Sequence, residues 1–199
     1  MERITRFTSP TVVWTADDVD TDQVIPARFL KGTARSGWGE HLFADRRYDA
    51  EGRPRPEFPL NRPEARGARV LVAGRNFGCG SSREHAVWAL QGFGFQAVVA
   101  LSFADIFRGN ALKNGLLPVV VDETLHARLV AAPGTAVTVD LEAERVTLAD
   151  GTEEAFVIDP FARYCLLNGI DELQFLLGQE AAIAAYERRA GSPSGGSRS

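Results

Sequence analysis

Residues 68–121 constrain this chain more than any other stretch. Ala68-Arg69-Val70-Leu71-Val72-Ala73 is a short apolar run, the mark of a buried strand, and it stops at Gly74. The glycine-rich Gly74-Arg75-Asn76-Phe77-Gly78-Cys79-Gly80 then leads into a helix beginning near Ser81, with Gly92 or Gly94 as its stop. A strand at 97–102, a helix at 104–114 closed by Gly115, and a strand at 116–121 follow. Such alternation predicts an α/β fold with a partly parallel sheet, because helices between strands act as crossovers.

The flanks add to this frame. Residues 3–15 contain the β-prone run Thr11-Val12-Val13-Trp14, a strand, and an acidic turn from Asp17 to Asp22 follows. Residues 31–66 hold few apolar runs and many Gly, Pro and Arg. They read as a mobile loop at about 31–39 and a polar insertion at about 44–67, and loops of that length are usually functional or disordered. Beyond 121 the pattern predicts a helix at 125–132, then strands at 136–141, 145–148 and 154–158 joined as a late antiparallel meander. A helix at 161–167 stops at Gly169, and a longer one starts at Asp171 with Leu173, Leu176, Leu177, Ala181 and Ile183 on its apolar stripe. The Gly/Ser-rich tail, 190–199, is expected to be disordered, leaving 1–189 as a single domain.

Composition excludes several functions. The formal charge is −4 over 199 residues, which argues against a nucleic-acid partner and the basic face it needs. No apolar run is long enough to cross a bilayer, and the first residues lack a secretory stretch, so the expected location is cytoplasmic. The two cysteines, Cys79 and Cys165, are far apart, and His41, His85 and His126 are not at metal-ligand spacing. No metal site is expected, and a cubane iron–sulphur cluster ordinarily needs more thiolates than this chain has.

Chemistry concentrates in Asn76-Phe77-Gly78-Cys79-Gly80-Ser81-Ser82-Arg83-Glu84-His85-Ala86. Ser81-x-x-Glu84 matches a capping box, a purely structural role in which Ser81 caps the helix and Glu84 reaches back. The neighbours support more. Glycines at 78 and 80 let backbone approach a ligand, a helix start offers free N–H groups to an anion, and Arg83 adds a planar fork suited to a carboxylate. Together they describe a carboxylate site with a serine able to move a proton. A dinucleotide fingerprint fails at Arg83, a P-loop lacks its lysine, and no nucleophile elbow is present. Cys79 reads as a small buried cysteine and His85 as a structural histidine.

These residues resemble a known family. Gly78-x-Gly80-Ser81-Ser82-Arg83-Glu84-His85-Ala86, Asp20-Thr21-Asp22-Gln23-Val24-Ile25-Pro26, and Ser102-Phe103-Ala104-Asp105-Ile106-Phe107-Arg108-Gly109-Asn110 with Asn114-Gly115-Leu116-Leu117-Pro118 are similar to signatures of the aconitase superfamily's swivelling domain. The ending Cys165-Leu166-Leu167-Asn168-Gly169-Ile170-Asp171 is similar to bacterial isopropylmalate dehydratase small subunits. The resemblance implies an aconitase-type swivelling β/β/α domain acting in leucine biosynthesis with a large subunit. It also implies that the partner would carry a 4Fe–4S cluster and that this chain would bind no cofactor itself. It implies Ser81 as catalytic base, Ser82 and Arg83 as binders of a small dicarboxylate substrate, and Asp22 as a supporting residue. Arg35, in Thr33-Ala34-Arg35-Ser36-Gly37, would grip a substrate carboxylate, although Ala34 departs from the family's segment. Small subunits of related hydro-lyases, acting on homoaconitate or citraconate, are the nearest alternative, and a non-catalytic carboxylate-binding module is a more distant one.

Overall fold

The structure, a computed structural model, describes residues 1–30 and 37–180. Its strands are β1 (Arg6–Trp14), β2 (Val70–Ala73), β3 (Ala97–Ala100), β4 (Leu117–Val120), β5 (Ala136–Asp140), β6 (Arg145–Leu148) and β7 (Glu153–Ala155). They form a seven-stranded sheet in the order β4-β3-β2-β1-β5-β6-β7. β1 serves both halves. Its second half, from Thr11, pairs parallel with β2, and its first half, to Pro10, pairs antiparallel with β5. Parallel pairing continues to β3 and β4, and antiparallel pairing continues to β6 and β7 as the expected meander.

The described helices are α1 (Thr21–Val24), α2 (Ala44–Arg47), α3 (Glu84–Phe93), α4 (Asp105–Asn114), α5 (Glu123–Ala131), α6 (Pro160–Asn168) and α7 (Glu172–Gly178). Side chains alternate along the parallel strands, and both faces are covered. Val70, Val72, Ala97, Val99, Leu117 and Val119 join one core with Leu125 and Leu129 of α5 and Val139 and Val146 of the meander. Leu71, Ala73, Val98 and Ala100 join the other, with Val87 and Leu90 of α3 and Phe107 of α4. Burial of each such Val, Leu or Phe is worth about 1.5–3 kcal/mol, so the four-residue strands β2 and β3 are held chiefly by their two faces.

The insertion at 44–67 is polar in composition but anchored in space. Phe43, Phe58 and Leu60 are buried in the second core together with Trp38. The backbone between them makes short turns rather than a sheet, so its polar groups need other partners. Arg47, itself buried, supplies them: its guanidinium donates to the carbonyls of Gly39 (3.0 Å) and Leu42 (3.3 Å) and to Asn61 Oδ1 (3.2 Å). Asn61 Nδ2 returns a bond to the Arg47 carbonyl at 2.7 Å. Isolated polar residues at this spacing carry no periodic signal, which is why the stretch reads as an excursion.

Two local expectations change. α3 begins at Glu84 and not at Ser81: Arg83 is its N-cap, with extended φ −142° and ψ 105°. Glu84 accepts from Asn114 Nδ2 at 3.2 Å instead of reaching back, so the Ser81–Glu84 capping box does not form. A complete capping box does occur on α7, between Asp171 and Gln174. Glycine stops are as expected, with Gly94, Gly115 and Gly169 left-handed at the ends of α3, α4 and α6. Ala181, Ile183 and the tail lie outside the described residues, as does Arg35.

Candidate active site

The parallel strands deliver three turns to one end of the sheet, beyond their carboxyl ends, where ligands bind in open α/β sheets. The turn after β2 is the middle one and is stitched to both neighbours. Towards the turn after β1, Gly78 N–H donates to the Val19 carbonyl (2.7 Å) and Thr21 N–H to the Cys79 carbonyl (2.9 Å). Asp20 caps α1 by accepting from Gln23 N–H at 2.7 Å. Towards the turn after β3, Phe77 N–H donates to the Ser102 carbonyl (3.1 Å) and Ala104 N–H to the Phe77 carbonyl (3.0 Å). The three motifs picked out in the sequence therefore meet in one place.

Glycine is required in this turn for a geometric reason. At Gly78, φ is +79° and a Cβ would stand 2.2 Å from Phe107 Cγ. Gly80 also has positive φ, +90°, but its Cβ position is open to 3.4 Å. Close packing sets the first position; backbone handedness alone sets the second.

Ser81 and Ser82 follow, both exposed. The Ser81 carbonyl accepts from Thr21 Oγ at 2.9 Å, while its hydroxyl has no hydrogen-bond partner among the described residues. Ser82 Oγ accepts from Asn110 Nδ2 at 3.3 Å, which leaves its proton free to donate. Arg83 is mostly buried along its length and its Nη1 donates to Asp22 Oδ1. That hydrogen bond, foremost among the causes, holds the Asp22 carboxyl below the usual range. Ser81, Ser82, Arg83 and Asp22 are thus brought together. The structure describes no position for Arg35.

Two neighbours take other roles. Burial, then the charges of Asp20 and Asp18, push the Cys79 thiol up, so it stays protonated at neutral pH. The His85 ring packs against Trp38 (4.8 Å) and Trp88 (4.7 Å), as an aromatic partner in the core's edge. Sequence reasoning did not single out Thr21, Asn110 or Asn114. Their signal was present: Thr21 stands inside the Asp20–Pro26 motif, and the two asparagines, four apart, share one face of α4.

The donor set does not suit an iron–sulphur cluster. Cys165 is buried on α6 and, like Cys79, has its thiol pushed up by burial. Among the described residues no three His, Cys, Asp or Glu side chains are grouped to hold a metal. What the site offers instead is an exposed hydroxyl, a second hydroxyl whose oxygen accepts from Asn110 and whose proton is free to donate, and a guanidinium fixed by a carboxylate.

Known proteins share this arrangement of sequence and fold. Residues 1–124 match the family model of the aconitase C-terminal domain, and residues 123–160 match the LeuD_N model. The 3-isopropylmalate dehydratase small subunit of Anaeromyxobacter dehalogenans (strain 2CP-C) is 63% identical over 187 residues, 94% of this chain and 98% of that protein. That of Roseiflexus castenholzii is 59% identical, covering 94% of each. A crystal structure of 3-isopropylmalate dehydratase (leuD) from Methanocaldococcus jannaschii aligns with a TM-score of 0.67 and 28% identity, covering 91% of this chain and 99% of that one.

Proposed function

The chain belongs to the family of 3-isopropylmalate dehydratase small subunits, and on that premise we propose that it supplies the proton-moving and carboxylate-binding groups of a two-subunit hydro-lyase. The reaction is the interconversion of 2- and 3-isopropylmalate by dehydration to isopropylmaleate and rehydration, in leucine biosynthesis. The observation that carries the reading is the exposed hydroxyl of Ser81, without a hydrogen-bond partner among the described residues, two positions from an arginine whose guanidinium is already fixed in place.

In this reading Arg83 uses the N–H groups not taken by Asp22 to hold a substrate carboxylate, and Ser82 donates its free hydroxyl proton to the same group. Ser81 takes a proton from the carbon next to that carboxylate and returns it on rehydration. Its pKa must fall for that. With α3 starting at Glu84, Arg83 is the positive group nearest in sequence, and the helix dipole acts from beyond it. Asp22 keeps the guanidinium oriented. Arg35 is assigned to a second carboxylate by the family resemblance alone.

The 4Fe–4S cluster is assigned to the large subunit by the family resemblance, and the two cysteines of this chain, Cys79 and Cys165, are fewer than a cubane cluster ordinarily takes. No step given to this chain runs through it. The partner is that large subunit and the ligand a small dicarboxylate, not nucleic acid or membrane. No helix among the described residues is long and apolar enough to cross a bilayer.

The test is co-purification with the large subunit, then assays on a panel of malate analogues. Turnover is expected with the isopropylmalates. Turnover confined to homoaconitate or citraconate would move the chain to a related hydro-lyase, and binding without turnover would make it a carboxylate-binding module.

A further inference from the structure

Thr21 lies at the first position of α1 and is almost fully buried. It touches the Ser81 turn twice. Its backbone N–H donates to the Cys79 carbonyl and its hydroxyl to the Ser81 carbonyl, each at 2.9 Å. Between those two carbonyls stands Gly80, whose missing Cβ would meet Thr21 Oγ at only 3.6 Å. The backbone from Cys79 to Ser81 is therefore clamped from one side by a single residue 60 positions away. Because a peptide is planar, fixing the Ser81 carbonyl also fixes the plane that follows Ser81 and limits the direction in which its side chain leaves.

Main-chain bonds already join the two turns, from Gly78 N–H to the Val19 carbonyl and from Thr21 N–H to the Cys79 carbonyl. The second bond of Thr21 comes from its side chain and reaches a residue whose own hydroxyl is exposed and has no hydrogen-bond partner among the described residues. We propose that Thr21 is a positioning residue for the reaction, which holds the Ser81 hydroxyl in its working direction through the Ser81 carbonyl without touching substrate. This rests on Ser81 being the base. A misplacement of about 1 Å at a reacting group can cost about 100-fold in rate, so loss of the clamp should act on turnover more than on substrate affinity.

The experiment uses the enzyme assembled with its large subunit and compares Thr21→Val, Thr21→Ser and Ser81→Ala. Valine keeps the shape and removes the hydroxyl; serine keeps the hydroxyl and removes the methyl. Thr21→Val is expected to lower kcat about 10-fold or more with KM nearly unchanged, and Thr21→Ser to recover most of it. A merely structural threonine would lower the yield of assembled enzyme but leave kcat per assembled molecule intact, and that result overturns the proposal. So does equal damage from Val and Ser, which would point to packing. If Ser81→Ala is inactive while Thr21→Val is normal, Thr21 is no positioner and the Ser81 reading stands. If Ser81→Ala turns over normally, the Ser81 reading fails first. Should Thr21→Val not assemble, Thr21→Cys, with its weak S–H donor, takes its place: intermediate kcat supports the clamp and wild-type kcat overturns it.

Discussion

Arg83 and Asp22 stand 61 residues apart in sequence, yet the guanidinium of one donates directly to the carboxylate of the other. The arginine side chain is 19% exposed and the aspartate 55%, so the pair points a largely sheltered cation at an open surface. An aspartate this exposed contributes less than about 1 kcal/mol to stability. Its effect is on orientation.

Asp22→Asn is therefore expected to leave folding intact and raise KM for the dicarboxylate several-fold, with partial recovery in Asp22→Glu. The pH dependence has a definite sign. The folded pKa of Asp22 is lowered, so the pairing is complete above the ordinary carboxylate value of about 4 and is lost only as pH falls through the lowered value. KM measured from pH 8 to pH 5 should carry no Asp22 titration. A wild-type KM in Asp22→Asn would make the pair a spectator.

Ser81→Ala separates chemistry from architecture. A lost helix cap would cost about 1 kcal/mol, but the N-cap position of α3 is Arg83 and not Ser81. Urea denaturation should thus show a change within about 0.5 kcal/mol. Turnover of the assembled enzyme should fall about 10²–10⁴-fold, the usual loss for a general base.

Gly78→Ala places a Cβ 2.2 Å from Phe107 Cγ on a backbone with φ +79°. The structure must shift in a packed core, and a loss of about 2 kcal/mol or more is expected. Gly80→Ala meets only ordinary van der Waals neighbours, Asp20 Cβ at 3.4 Å and Thr21 Oγ at 3.6 Å, so its main cost is that of the positive φ, about 1 kcal/mol. Equal losses at the two positions in equilibrium unfolding would mean that Phe107 yields easily.

Arg47→Met removes the donors that serve Gly39, Leu42 and Asn61. Leaving buried carbonyls unmet costs about 1–3 kcal/mol, and the loss should centre on the 38–61 stretch. Limited proteolysis is the sensitive measurement: cleavage should move into that stretch while the sheet resists. An unchanged digestion pattern would mean that Phe43, Phe58 and Leu60 hold it alone.

The strands and helices from β2 to β7 were legible because apolar runs, glycine stops and cap residues act over a few positions. Asp122, Asp159 and Asp171 cap α5, α6 and α7 from the adjacent residue, and all three helices were anticipated to within about two residues at their starts. Ser81, Ser82, Arg83 and Asp22 were legible as motif residues. Thr21, Asn110 and Asn114 stood in the same motifs, but nothing local distinguishes a buried threonine that bonds another turn from one that caps its own helix.

The sequence by itself determined an α/β order with a late meander and a glycine turn after β2, since each follows from periodicity and backbone freedom over short range. Only the tertiary structure decided where α3 begins: its N-cap is Arg83, and the Glu84 carboxylate accepts from Asn114, 30 residues on. Only it decided that Asp22 faces Arg83 and Thr21 faces Ser81. Those pairs depend on the register of β1 against β2, Thr11 opposite Val70 through Trp14 opposite Ala73. Register comes from packing both faces of the sheet at once, a condition that no stretch of a few residues contains.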